Sequence, residues 1–237
     1  MYFSCNVSFS SLPVFLPTII NEMGFSPINA QGLSAPPYFI VSPLSFSLPC
    51  PQQPLPLFHI LHLYIINPTK SFLTVLLSTH LADRHAQRGI TIAILSLVGA
   101  TGYILLAATT LTSIRYFAVY LAAIGVFPTI INILPWVLNN QGSDTKRGTG
   151  LAMLNVVGQC GPLLGTRIYP AADAPYYRVG MWTCAGFMLG VAGLSMVLRM
   201  LLVRENRRFD EKFGRVGEAG DTEGGCENDG PNFRYVL

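Results

Sequence analysis

The sequence predicts an all-α membrane protein: six transmembrane helices in one bundle, followed by a polar tail. Of its 237 residues, 51% are hydrophobic and only 11% are charged, against about 25% charged in ordinary soluble domains. The charges are also uneven. Residues 204–237 hold 14 of the 27, leaving 13 for the first 203 positions, too few to clothe a water-facing surface. The uncharged runs, finally, have the length of a bilayer crossing. A helix rises about 1.5 Å per residue, so a hydrocarbon core of about 30 Å takes roughly 20 apolar residues. Residues 1–21 carry no charge, and 26 uncharged residues separate Arg88 from Arg115. A further 28 separate Arg115 from Asp144, 19 separate Arg147 from Arg167, and 20 separate Arg178 from Arg199. Each ionised side chain therefore falls near a membrane face, as expected when a charge at the bilayer centre costs several kcal/mol.

The first span is 2–20. It has no basic segment before it and more apolar runs after it, so it reads as a membrane helix and not as a signal peptide. A second crossing falls within 31–81, interrupted by an anomalous stretch, 41–73, that contains Pro43, Pro49, Pro51, Pro54, Pro56 and Pro68. Interior prolines cost a helix about 3 kcal/mol each, so this apolar stretch matches neither a span nor a polar loop. The remaining spans are 89–109, 116–138, 149–168 and 179–203. Pro128 and Pro135 interrupt the fourth, and Gly158, Gly161, Pro162 and Gly165 loosen the fifth. Broken helices survive in lipid only where protein or a wet cavity satisfies the freed backbone. These interruptions therefore mark either packing kinks or a solute site. Gly180, Gly186, Gly190 and Gly193 run through the sixth span, with Gly186 and Gly190 in small-xxx-small spacing that suggests close helix packing. Residues 204–237 mix charge with glycine and read as a mostly disordered tail whose first turns extend the last helix.

Lys and Arg gather on one set of loops (Arg84, Arg88, Lys146, Arg147, Arg204, Arg207, Arg208) and are fewer on the other (Arg115, Arg167, Arg178). That bias puts both termini in the cytoplasm, with Tyr176, Tyr177 and Trp182 in an outer aromatic belt. A net charge of +3 without a continuous basic patch argues against nucleic acid as a partner. The five cysteines are scattered and match no metal-ligand spacing. No nucleophile elbow, phosphate loop or zinc-protease motif occurs, so neither an enzyme nor a cofactor is expected. What stands out at depth is amide chemistry. Asn132 lies in the fourth span, and Asn155 and Gln159, one turn apart in the fifth, share a helix face. Such amides need partners, either neighbouring helices or a solute in a cavity.

The loop Leu81-Ala82-Asp83-Arg84-His85-Ala86-Gln87-Arg88-Gly89 resembles the signature loop of the major facilitator superfamily, an acidic-basic pair followed by a further Arg. A more specific likeness comes from Pro135-Trp136-Val137-Leu138-Asn139-Asn140-Gln141-Gly142, Lys146-Arg147, Gly158-Gln159-Cys160-Gly161-Pro162, Ala174-Pro175-Tyr176-Tyr177 and Gly180. With Phe15-Leu16-Pro17-Thr18-Ile19-Ile20 and Ser34-Ala35-Pro36-Pro37-Tyr38, these resemble the C-terminal half of fungal anion:cation symporters, the allantoate-, nicotinate- and vitamin-permease-like carriers. The likeness covers about 1–41 and 75–210. It implies helices seven to twelve of a twelve-helix carrier that rocks its two halves, usually coupled to protons, in the plasma membrane. It implies a small organic anion or vitamin-like solute near the midplane, for which Asn6, Tyr38, Asn132, Trp136, Asn155 and Gln159 are the candidate contacts. Asp83, Arg84 and Arg88 become a conformational latch, the Asp pairing with Arg groups and capping a helix end.

Two departures from that pattern matter. Met1 falls where the family's seventh helix begins, so the N-terminal half is expected to be missing. Three readings stay open: a carrier fragment, an inserted protein that moves nothing, and a half-carrier that homodimerises to rebuild the cavity. The other departure is 41–73, which reads as a retained intron. Val41-Ser42 is encodable as GTAAGT or GTGAGT, the usual splice donor, and excision joins Tyr38-Phe39-Ile40 to Thr74-Val75-Leu76 in one helix. Sequencing the mature transcript is expected to show these codons removed; uniform retention of them contradicts the splice reading.

Overall fold

The computed structural model describes residues 1–22, 24, 26, 28–30, 33, 34, 87–174, 176–214 and 233–237. The Pro-rich stretch 41–73, Tyr38, Asp83 and Arg84 lie outside the described residues. In chain order the helices are α1 (Tyr2–Glu22), α2 (Arg88–Ala108), α3 (Thr112–Asn139), α4 (Asp144–Gly158), α5 (Cys160–Gly165) and α6 (Arg178–Phe213), with a short 3-10 turn at Ala171–Asp173 before α6. No strand occurs among the described residues. The stretches Tyr2–Asn21, Arg88–Ala108, Thr112–Asn139 and Arg178–Lys212 are long and apolar enough to cross a membrane, and the chain is an all-α integral membrane bundle.

Local chemistry explains the boundaries. Thr109 turns extended after α2, and its hydroxyl donates to the Leu105 carbonyl at 2.6 Å. The Ser143 hydroxyl caps α4 by accepting the Lys146 N–H, and Asp144 sits favourably at the positive end of the same helix. The fifth expected span, 149–168, is divided in two. Pro162 has no N–H to return to the carbonyl of Gly158, and the helix resets at Gln159 between α4 and α5. α3, by contrast, runs 28 residues straight through Pro128 and Pro135.

α2 lies between α3 and α6, and α1 crosses α3, α5 and α6. The tightest seam joins α2 to α3. A Cβ on Gly125 would collide with the backbone of Gly99 and lie 2.7 Å from the Leu95 carbonyl, and one on Gly102 would strike the backbone of Ala122. Beside this seam Ile92, Tyr103, Ala118, Ala122, Val126 and Met188 are fully enclosed. The close packing expected through Gly186 and Gly190 is not found within this chain: a Cβ at Gly186, Gly190 or Gly193 would meet nothing within 4 Å. The reason is rotational. Met181, Cys184, Met188, Val191 and Ser195 take the buried stripe of α6, so the glycines share the outer face with exposed Leu189, Leu194, Val197 and Leu201. So large an apolar surface suits lipid or another membrane partner and not water.

Two placements differ from a reading by charge position alone. Arg115, expected in a loop before the fourth span, is the fourth residue of α3 and is 1% exposed. In the tail, the last helix continues to Phe213, and residues 233–237 lie across the ends of α2, α3 and α6. There the Gly89 N–H donates to the Leu237 carbonyl at 3.2 Å. Asn206 exchanges two hydrogen bonds with the backbone of Tyr235, both 2.8 Å, and Arg234 pairs with Asp210 at 2.8 Å. Chain entropy alone favours a free end; these pairings and the Phe209–Tyr235–Phe233 ring contacts oppose it.

The α2–α3 seam generates a paired prediction. Gly125→Val should lower the thermal midpoint of the detergent-solubilised protein by an amount equivalent to about 3 kcal/mol, the upper end of ordinary overpacking. Gly190→Val on the open face should stay within about 0.5 kcal/mol. Equal shifts would show that the seam is not close-packed.

Candidate functional site

The break between α4 and α5 is where the amides gather. α1 lies directly on it: a Cβ at Gly158 would run into the Tyr2 ring, and one at Gly161 would sit 2.7 Å from the Phe3 carbonyl and 2.9 Å from Asn6 Cβ. Small residues in α4 and α5 thus let α1 approach closely enough for Asn6 to reach the break. Asn6 is 4% exposed and donates from Nδ2 to the Tyr2 carbonyl at 3.0 Å. Asn155 is half-buried and Gln159 exposed, and among the described residues neither side-chain amide makes a hydrogen bond. Asn6 therefore lies against Gly158 and Gly161 at the break, where Gln159 stands between the two helices and Asn155 one turn before it. Amides donate and accept without titrating, so the group suits a polar or carboxylate-bearing solute.

Asn132 and Trp136 are held by other partners. Asn132 is fully buried, donates from Nδ2 to the Pro128 carbonyl at 2.8 Å, and keeps Oδ1 without a partner. Trp136, one turn on, is 1% exposed. Its indole N–H donates to the Val236 carbonyl at 2.9 Å. A Cβ on Gly89 would sit 3.1 Å from its ring, and Asn140 makes a reciprocal pair with Val236 at 3.2 and 2.8 Å. Trp136 thus packs under the C-terminal residues. Arg88 opens α2 at this same end; its proposed latch partners lie outside the described residues.

A buried polar seam escaped the sequence reading. The Tyr103 hydroxyl donates to the Ser8 carbonyl at 2.9 Å, Ser11 bonds the same carbonyl at 2.9 Å, and Ser8 donates to the Cys184 carbonyl at 3.5 Å. Tyr169, in the connection after α5, meets Cys184 Sγ at 3.4 Å. Burial pushes the Tyr169 phenol well above its usual range. Ser8 and Ser11, almost a turn apart in an apolar helix, were the available signal.

The chain is similar to fungal transporters along nearly its whole length. It is 28% identical over 250 residues to an uncharacterized transporter of Schizosaccharomyces pombe, covering 100% of this chain and 44% of that protein. It is 28% identical over 228 residues to the MFS transporter prlL of Fungal sp. (strain NRRL 50135), covering 94% and 39%. To the high-affinity nicotinic acid transporter of Saccharomyces cerevisiae it is 24% identical over 238 residues, covering 99% and 39%. The chain spans about two fifths of the length of these relatives. No family model and no solved structure matches it.

The Trp136 contact is testable apart from any transport. Trp136→Phe keeps one aromatic ring but removes the donor to Val236 and part of the buried indole volume, and should cost about 2 kcal/mol of stability. It should also speed carboxypeptidase digestion of 233–237 in the detergent-solubilised protein. An unchanged digestion rate would mean that the indole does not hold this segment.

Proposed function

We propose that the chain is the C-terminal half of a major facilitator carrier of small organic anions, with Asn6, Asn155 and Gln159 contacting the solute at the α4–α5 break. The observation that supports this most is the similarity, over 94–100% of the chain, to fungal transporters that include MFS carriers and one for nicotinic acid. The apolar helices and the untitratable amide cluster fit that reading. By the same reading Tyr38 is a further solute contact, Asp83, Arg84 and Arg88 form the latch, both termini face the cytoplasm, and the host is the plasma membrane. The described spans hold no carboxylate at depth, so we place any proton-coupling group outside them. A twelve-helix cavity requires a second half, supplied by further sequence or by a second copy of the chain.

Reconstituted in proteoliposomes, the protein is expected to take up labelled nicotinate or a ureide above empty vesicles, saturably and in competition with unlabelled solute. The double variant Asn155→Ala, Gln159→Ala should reduce that flux about tenfold or more, the loss of two hydrogen bonds at about 1 kcal/mol each. Flux equal to empty vesicles would sink the claim that this chain suffices. A dimeric mass with measurable flux would identify the second half as another copy.

A further inference from the structure

At the opposite end of the bundle from the C-terminal residues, one side chain violates the usual rules for a cation. Arg115 is 1% exposed, and its Nε and Nη2 are both buried without a hydrogen-bond partner. It occupies the first turn of α3, where the helix dipole disfavours positive charge. The group nearest it adds to the problem. The Arg115 guanidinium stands 5.1 Å from the centroid of the Tyr176 ring, and Arg178 stands over the same ring at 5.5 Å. Neither arginine joins an ion pair among the described residues. Ring stacking attracts each guanidinium, but it leaves buried N–H groups unanswered and two like charges sharing one aromatic. Burying an unpaired cation is unfavourable unless hydrogen-bonded negative charge accompanies it.

The backbone around Tyr176 adds donors. Tyr177 adopts the left-handed conformation at φ 46° just before α6, and that helix starts with no side-chain cap. Its first N–H groups and the positive end of its dipole therefore lie next to the two arginines. Such strain in a non-glycine residue persists only where its surroundings hold it; here the Tyr177 N–H is tied to the Asp173 carbonyl at 2.8 Å.

We propose that Arg115, Tyr176, Arg178 and the start of α6 form a binding site for an oxyanion, a carboxylate or phosphate group that accepts from the buried Arg115 N–H donors. Arg115 supplies the fixed, planar fork that such a group matches. Arg178, which is exposed, closes the site from the solvent side. Tyr176 holds the two guanidiniums apart. The same chemistry is offered by a small soluble anion and by the phosphate of a lipid headgroup. The site stands whether or not the chain moves solute, and it shares no residue with the amide cluster at the α4–α5 break.

The test is ligand-dependent thermal stability of the purified full chain, with benzoate and inorganic phosphate as probes in detergent. A parallel set uses phosphatidylcholine nanodiscs with and without phosphatidylglycerol. Wild type should show a saturable rise of about 5 °C or more at a hundredfold excess over Kd. Arg115→Met should abolish that rise and, having removed a buried unpaired cation, should raise the ligand-free midpoint. Arg178→Gln should keep the ligand-free midpoint and weaken the anion about tenfold. A response to phosphatidylglycerol alone, lost in Arg115→Met, identifies the occupant as a headgroup. No saturable response to any of the three probes overturns the site, as does a wild-type response in Arg115→Met. If Arg115→Met does not fold, Arg178→Gln decides: unchanged affinity overturns the site.

Discussion

In lipid, helices gain little from burying apolar side chains against one another, because the acyl chains are as apolar as leucine. They hold together through short-range contact and through polar groups satisfied inside the bundle. In this protein the short-range contact is concentrated where α2 meets α3 at Gly99, Gly102 and Gly125, with backbone lying on backbone. Dispersion falls off steeply with separation, so a seam of this kind sets the distance at which every other side chain must fit. Tyr103, fully buried on α2, reaches the Ser8 carbonyl of α1 from that platform. α1 in turn lies against the glycines of α4 and α5 and carries Asn6 to the break.

Polar satisfaction follows the same geometry. Serine, tyrosine and cysteine groups at Ser8, Ser11, Tyr103, Tyr169 and Cys184 answer one another inside the bundle. At one end, the amides of Asn140 and Asn206 each exchange two hydrogen bonds with the backbone of the C-terminal residues. Among the described residues the buried side-chain atoms left unanswered are Arg115 Nε and Nη2, Asn132 Oδ1 and Arg199 Nε. Asn155 and Gln159 stand open at a helix break, and Arg115 is enclosed beside Tyr176. Buried polar atoms are nearly always paired, which is why the enclosed Arg115 carries the anion-site reading.

The extents of the long apolar helices were legible because charge spacing follows the bilayer's thickness. The apolar runs ahead of Arg115 and Asp144 became α2 and α3 within a few residues of the expected limits. Side-chain partners were less legible. Asn155 and Gln159 share a helix face by their i, i+4 spacing, but where Asn6 lies depends on how α1 crosses α4 and α5. Trp136 donates its indole N–H to Val236, a hundred positions away in sequence. Gly186 and Gly190 have the spacing of a packing motif, yet they face outward. Spacing reveals which residues share a helix face and not which neighbour that face meets.

By itself the sequence determined that the chain enters a membrane and roughly where its long apolar helices run. Those properties are sums over local composition, and the bilayer reads them one helix at a time. Only the tertiary structure decided that α2 and α3 touch through glycine and that Arg115 is enclosed without an acceptor. It likewise decided that the C-terminal residues cap Trp136. Each of these depends on the rotation and crossing of whole helices, quantities that one helix's residues constrain weakly and the packed bundle constrains together.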